Sequence, residues 1–506
     1  MIAIDELTID QVHDAFKSGA YTCRELVGAY IARIKALDQQ GPCLNAITVI
    51  SSSCLDEANA LDEHLKEHGS FIGPLHGVPV IVKDQCDTKD VPTAYGNICC
   101  LHTPKKDATL VKKLRDAGAV ILAKSTMPDF AASFNSASSL SGITLNPYKT
   151  IRETGGSSAG TGAAIAANMG LIGVGEDTGG SIRVPASFCN LVGLRPTVGM
   201  ISRAGLSPLV KTQDTPGPMT RTVRDAALML DIMVGYDTKD PYTASVKVAG
   251  PPRGGSYASN LSDVPLTKCR IGVLNSVFGR EHSAECNSVN DVVRESLSRI
   301  ATTGATLIDI DIPDIDYYIN LSSTYFSRSR FDIQNFLEAH PIIKDVSFES
   351  IHSSKKYHQA LPLFEDMGAP KSFKHPYEDP DYAKRLEVQQ DFQRLIIGVM
   401  AVHNLDVIAF PSVQIPAPFV SDVVGTRFRH HFPTNTSIAS QLHHPAISIP
   451  VGFTEKSGLP VGLEFVGLPY SEQKLLELAY GVESLMKARK APVFECLENE
   501  IGESDN

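Results

Sequence analysis

Ser157 and Ser181 stand 24 positions apart, each in a glycine-rich turn, with Lys83 well upstream of both. The segments are Gly155-Gly-Ser157-Ser158-Ala-Gly160, Gly175-Glu176-Asp177-Thr178-Gly179-Gly180-Ser181, and Gly77-Val-Pro-Val-Ile-Val-Lys83-Asp84. A serine hydroxyl attacks a carbonyl when a base takes its proton and N–H groups hold the resulting oxyanion. Two glycines ahead of Ser181 permit a tight turn in which the N–H groups of Thr178, Gly179, Gly180 and Ser181 converge on one concavity. An isolated Gly-Gly-Ser is more often the N-cap of the helix that follows it. Lysine at the end of an apolar run likewise usually snorkels to the surface. To serve as a base, Lys83 must be uncharged, its pKa brought from about 10.4 toward 7, about 4 kcal/mol against the ammonium that burial can supply. Asp84 would oppose this if it faced the amine, so its carboxylate is expected to point elsewhere. Ser157 can donate and accept at once, which suits it to relay a proton between Lys83 and Ser181. Together these residues suit a serine hydrolase with lysine in place of histidine.

Other chemistries are less well supported. The turn at Ser157 could cradle a phosphate, but it is not GxGxxG and no Lys-Ser/Thr follows it. The pairs His430-His431 and His443-His444 are adjacent residues that do not share a helical face, so no metal site is expected.

The elements that must position these residues alternate along the chain. Leu7, Val12 and Phe16, then Leu26, Tyr30, Ile34 and Leu37, mark two helices separated at 18–22, with Thr22 as N-cap and Glu25 completing a capping box. Strands are expected at 46–50, 78–82, 120–123, 269–274, 305–310, 405–411, 446–451 and 463–467. Helices are expected at 56–68, 108–117, 161–168, 181–190, 289–300 and 471–486. This rhythm is that of a sheet wrapped by helices, and in such sheets ligand chemistry gathers at the carboxyl ends of strands. The polar stretch 347–382 is expected to form loops and short helices over the catalytic face.

Composition sets the outer bounds. The chain has 506 residues, 43% apolar and 20% charged, with a net charge of −11. That balance argues for a globular enzyme and against a nucleic-acid binder, which needs clustered Lys and Arg. The N-terminus shows no signal-peptide pattern and no apolar run is long enough to span a bilayer, so no membrane association is expected. Ten cysteines without CxxC spacing read as reduced and mostly buried, which points to the cytoplasm.

Lys83, Ser157 and Ser181 with their flanking glycines resemble the amidase signature family, whose hallmark is a Ser–cis-Ser–Lys triad. Further similarity runs through Asp177-Thr-Gly-Gly-Ser-Ile-Arg-Val-Pro, Leu191-Val-Gly-Leu-Arg-Pro-Thr, Asp214-Thr-Pro-Gly-Pro-Met and Gly458-Leu-Pro-Val-Gly-Leu-Glu-Phe-Val-Gly467. The resemblance implies one α/β domain spanning 1–506, a central twisted mixed β-sheet covered by helices on both faces. Within it, 1–70 would be an N-terminal helical segment packed on the core, 83–200 the catalytic region, and 270–400 a variable substrate-covering region. Ser181 would attack, Ser157 would follow a cis peptide bond and shuttle the proton, and Lys83 would be the base. Ser158, Asp177 and Arg183 would orient the loop and the lysine. Glu176 departs from the small or hydroxyl residue the family often shows there. The implied reaction is hydrolysis of the carboxamide C–N bond of a small molecule through an acyl-enzyme, without metal or organic cofactor. A carbamate is an alternative substrate for the same triad, and an amidotransferase A-type subunit, working with a partner on aminoacyl-tRNA, is a second alternative. The acyl pocket would draw on 127–135, including Phe130, Ala131 and Phe134, on parts of 320–390 and on 411–418. A homodimer or higher homo-oligomer is also implied.

Overall fold

A computed structural model describes residues 2–262, 266–279, 283–369, 372–425, 427–428 and 431–494, so His430 lies outside the described residues. Among the described residues thirteen strands run in chain order: β1 (Ile47–Ile50), β2 (Pro79–Lys83), β3 (Val120–Ser125), β4 (Leu145–Asn146), β5 (Lys149–Glu153), β6 (Ile172–Asp177), β7 (Val192–Arg195), β8 (Thr215–Thr220), β9 (Arg270–Leu274), β10 (Thr306–Ile310), β11 (Val407–Pro411), β12 (Ala446–Phe453) and β13 (Pro460–Val466). Eleven of them form one sheet in the order β1-β3-β2-β6-β8-β7-β12-β13-β11-β9-β10, while β4 and β5 make a separate hairpin. β3, β2 and β6 are mutually parallel, as are β11, β9 and β10. Antiparallel β8, β7, β12 and β13 join the two blocks. The mixed α/β sheet expected from the resemblance is therefore present.

Local sequence explains the elements nearest the chemistry. β2, β3 and β6 are buried along their whole length, which for β2 and β3 is why they read as continuous runs rather than alternating ones. Helix Ala159–Ala166, Ala-Gly-Thr-Gly-Ala-Ala-Ile-Ala, is buried at every position. Small residues let it lie against the sheet: a Cβ on Gly160 would stand 2.2 Å from the Ala46 carbonyl oxygen. Thr8 and Thr22 both close capping boxes at the N-terminal helices, as expected for Thr22.

Two expectations shift. The helix after Ser181 runs only over Arg183–Phe188 and is capped by Ile182, so Ser181 is not its N-cap. β6, β7 and β8 are not anticipated as strands: glycines interrupt β6, β7 has only four residues, and Pro216 and Pro218 argue against placing β8 inside a sheet. The stretch 347–382 holds short helices at Phe348–Ser353 and Pro362–Met367 and a single turn at Pro376–Glu378. With helix Tyr325–Ala339 they enclose a second apolar cluster around Tyr95, Met127, Phe130 and Phe364. Among the described residues no helix is long and apolar enough to cross a membrane.

Candidate active site

Lys83 ends β2 with its side chain fully buried. Its Nζ lies 2.8 Å from Ser157 Oγ and 3.2 Å from the Glu176 carbonyl oxygen. Burial drives its pKa down, and the nearby Glu176, Cys86 and Asp177 resist only in part. Asp84 does point elsewhere. Its carboxylate accepts the Ala94 N–H at 3.2 Å and the Gly96 N–H at 2.9 Å, with Lys124 Nζ 3.9 Å away.

Ser157 follows a cis Gly156–Ser157 peptide, and Ser158 begins the small-residue helix. Ser158 Oγ donates to the Glu176 carbonyl and accepts the Glu176 N–H, each at 3.2 Å. The Ser158 N–H donates to the Ser181 carbonyl at 3.0 Å. Both serine turns and the end of β6 are thereby held as one piece.

The loop after β6 is organised around Asp177. Its carboxylate accepts the Ile182 N–H at 3.1 Å, Arg183 Nε at 3.1 Å and Nη2 at 3.0 Å, and Arg195 Nη1 at 2.8 Å. Burial alone would raise the carboxyl, but the two guanidiniums outweigh it and hold Asp177 well below the usual range. Arg183 is also paired with Glu464 and donates to Ser440 Oγ at 2.7 Å. Further along, Gln213 Nε2 donates to the Thr178 carbonyl at 2.7 Å and the Thr436 hydroxyl to the Gly179 carbonyl at 2.8 Å. Thr178 Oγ1 donates to Asp214 Oδ1 at 2.6 Å. With those carbonyls turned outward, the N–H groups of Gly179, Gly180 and Ser181 donate to no acceptor among the described residues. Gly180 has φ +141°, and a Cβ there would sit 1.9 Å from Thr436 Oγ1. Only glycine suits both demands.

Ser181 is 3% exposed. The Tyr325 hydroxyl and the Phe134 ring lie over Gly179, 2.2 and 3.2 Å from where its Cβ would be. Phe134 thus reaches the loop, stacked on Phe432. Phe130 and Ala131 are instead packed into the second apolar cluster, Phe130 against Phe364. Sequence reasoning did not single out Arg195, Gln213, Asp214, Tyr325, Thr436 or Glu464. For Arg195, Asp214 and Glu464 a signal existed, a charge set inside otherwise apolar or glycine- and proline-rich motifs. Gln213, Thr436 and Tyr325 carry no such mark.

His444 is buried and His443 half-buried, and desolvation drives them down to about 4 and about 3. Among the described residues one group, Asp87, His102 and His340, holds three metal-type ligand atoms within 4.8 Å of one another. The Tyr95 hydroxyl stands amid them, 2.6 Å from Asp87 Oδ1 and 3.0 Å from His340 Nε2. His340 Nδ1 accepts the Ile343 N–H at 3.1 Å, which leaves the ring hydrogen on Nε2 facing the others. The group is a closed hydrogen-bonded network rather than an open donor set.

Comparison with known proteins agrees with this arrangement. A family model described as Amidase matches residues 25–476. The chain is 33% identical over 494 residues to the A-type subunit of the glutamyl-tRNA(Gln) amidotransferase of Alkaliphilus metalliredigens, covering 95% of this chain and 96% of that protein. Among solved structures it resembles a peptide amidase from Stenotrophomonas maltophilia, with TM-score 0.84 and 30% identity over 97% of this chain and 99% of that one. It also resembles the corresponding glutamyl-tRNA(Gln) amidotransferase chain from Thermotoga maritima, with TM-score 0.76 and 25% identity over 98% and 99% of the two chains. By sequence and by fold, this chain belongs to the amidase family and is an amide-hydrolysing enzyme of the amidase signature type.

Proposed function

We propose that this chain hydrolyses the carboxamide C–N bond of a small molecule, with Ser181 as nucleophile, Lys83 as base and Ser157 as the relay between them. The observation that carries this reading is a fully buried lysine, driven toward its uncharged form, 2.8 Å from the Ser157 hydroxyl. Neutral Lys83 takes the Ser157 proton while Ser157 takes that of Ser181, and the Ser181 oxygen bonds to the amide carbon. The oxyanion is held by the N–H groups of Thr178, Gly179, Gly180 and Ser181. Ser157 then returns a proton to the leaving nitrogen, the C–N bond breaks, and water repeats the sequence on the acyl-enzyme. Asp177, Arg183 and Ser158 keep the loop and the two serines in register, and Phe134 borders the acyl site.

The curated relatives favour a second reading, an amidotransferase component whose amide hydrolysis serves a partner acting on aminoacyl-tRNA. A carbamate offers the same triad a carbonyl and is a third. The purified chain, alone, is assayed on simple primary amides, peptide amides, glutamine and alkyl carbamates, reading ammonia and alcohol release. Ammonia from simple or peptide amides without a partner is expected, and Ser181→Ala should fall to about a thousandth of wild type or less. Glutamine turnover alone, and only with a partner added, would favour the second reading; preferential alcohol release would favour the third. A Ser181→Ala variant at wild-type rate would reject all three.

A further inference from the structure

Glu176 is the buried acid that the mechanism above leaves without a task. It is 1% exposed, between β2 and the loop that carries Ser181. Its Oε1 lies 3.3 Å from the Thr178 hydroxyl. Its Oε2 stands 3.5 Å from Lys83 Nζ and has no hydrogen-bond partner among the described residues. A buried carboxyl oxygen without a hydrogen bond is costly, and this one is aimed at the amine on which the relay depends. We propose that Glu176 is a positioning residue that shares a proton with Lys83, so that amine and carboxyl accept the serine proton as a unit. This rests on the triad assignment made above.

The proton count closes in either resting form. Ammonium with carboxylate and amine with carboxylic acid both hold one shared proton and no net charge. When Ser181 bonds to the carbonyl carbon, its proton moves to Ser157 and that of Ser157 to Lys83. If Lys83 is already an ammonium, it passes one of its own protons to Glu176 as it accepts. Either way the pair ends with both groups protonated and one positive charge, opposite the single negative charge of the oxyanion. The charged and titratable groups around Glu176 are Lys83 at the end of β2, Cys86 beyond it, Asp177 on its own strand, Asp214 ahead of β8, Arg195 on β7 and Tyr325 on the covering helix. Burial, then the negative charge of Asp214, pushes Glu176 up to about 8, and burial pushes Lys83 down. Both partners are thus driven toward their neutral forms, the condition for sharing rather than a fixed ion pair.

A fluorophosphonate ester tests this without an identified substrate, because the Ser181 oxygen displaces fluoride at phosphorus once the relay takes its proton. The labelling rate constant is measured from acid to alkaline pH for wild type, Glu176→Gln and Glu176→Thr, with Ser181→Ala as control. The fully protonated pair can lose its proton from either group, whereas without the carboxyl only Lys83 can lose one, so the acid limb should move to higher pH by up to about one unit. The plateau should fall about tenfold, since Lys83 must then accept the serine proton without a carboxyl to share it. A limb that stays in place in the folded variants, whatever the plateau, overturns the proposal. The threonine variant carries the same readout should glutamine prevent folding. Labelling of Ser181→Ala at the wild-type rate would instead overturn the triad assignment, and this inference with it.

Discussion

At Gly180 two constraints meet in one residue. A φ of +141° is a backbone state that side chains rarely adopt, and Thr436 Oγ1 fills the space a Cβ would need. Gly180→Ala must therefore turn the backbone or displace Thr436, and either change re-aims the N–H groups beside Ser181. Activity on the best amide should fall about a hundredfold, the cost of one lost oxyanion donor, with a much smaller change in melting temperature. A fall in stability with full activity in the remaining folded enzyme would show that the N–H groups are not used. Lys83, Ser157 and Ser181 stand out in the sequence because the chemistry proposed for them depends on residue type and glycine spacing, both present in one dimension. Thr436 and Tyr325 do not, because each acts only by lying across Gly179 or Gly180 from more than a hundred residues away. The difference between Phe134, at the loop, and Phe130, in the apolar cluster, also needs three dimensions.

The elements show where periodicity suffices and where it misleads. Capping boxes and apolar runs locate the N-terminal helices and β2 and β3 because those signals are local. β8 escaped because Pro216 and Pro218 cannot donate to a ladder. Its register explains how they are tolerated: β7 pairs only with Met219 and Thr220, while Pro216 and Pro218 lie opposite Glu176 and Val174 of β6. No ladder is required on the β7 side next to the prolines. Helix Ala159–Ala166 makes the complementary point, since its sequence carries little amphipathic pattern and owes its place to small size. Gly160→Ala would press a methyl against the Ala46 carbonyl and Thr126. It should cost about 2 kcal/mol of stability by overpacking, read as a lower urea midpoint with unchanged slope. An unchanged midpoint would mean that the helix can move off the sheet.

Across the whole molecule, burial acts on the cysteines in one direction. It raises the thiols of Cys23, Cys100 and Cys189, and brings Cys86 and Cys269 up to about 12. The folded chain keeps these protons at a pH where the unfolded chain has lost them. Their contribution to stability is complete below about pH 8.5 and is lost as the pH rises toward the folded values. Lys83 and Lys124, both lowered by burial, act in the opposite sense but are outnumbered. The urea midpoint should therefore be lower at about pH 10.5 than at about pH 8, and an equal midpoint would mean that the thiols are open to solvent. Ser181 is 3% exposed, in a loop that Tyr325 and Phe134 cover at Gly179. If Ser181 is the nucleophile, carbonyls midway along a folded polypeptide should be kept out by bulk alone, and slender molecules or loose chain ends should react. Selectivity of this kind is exercised at the threshold, ahead of any bond-making.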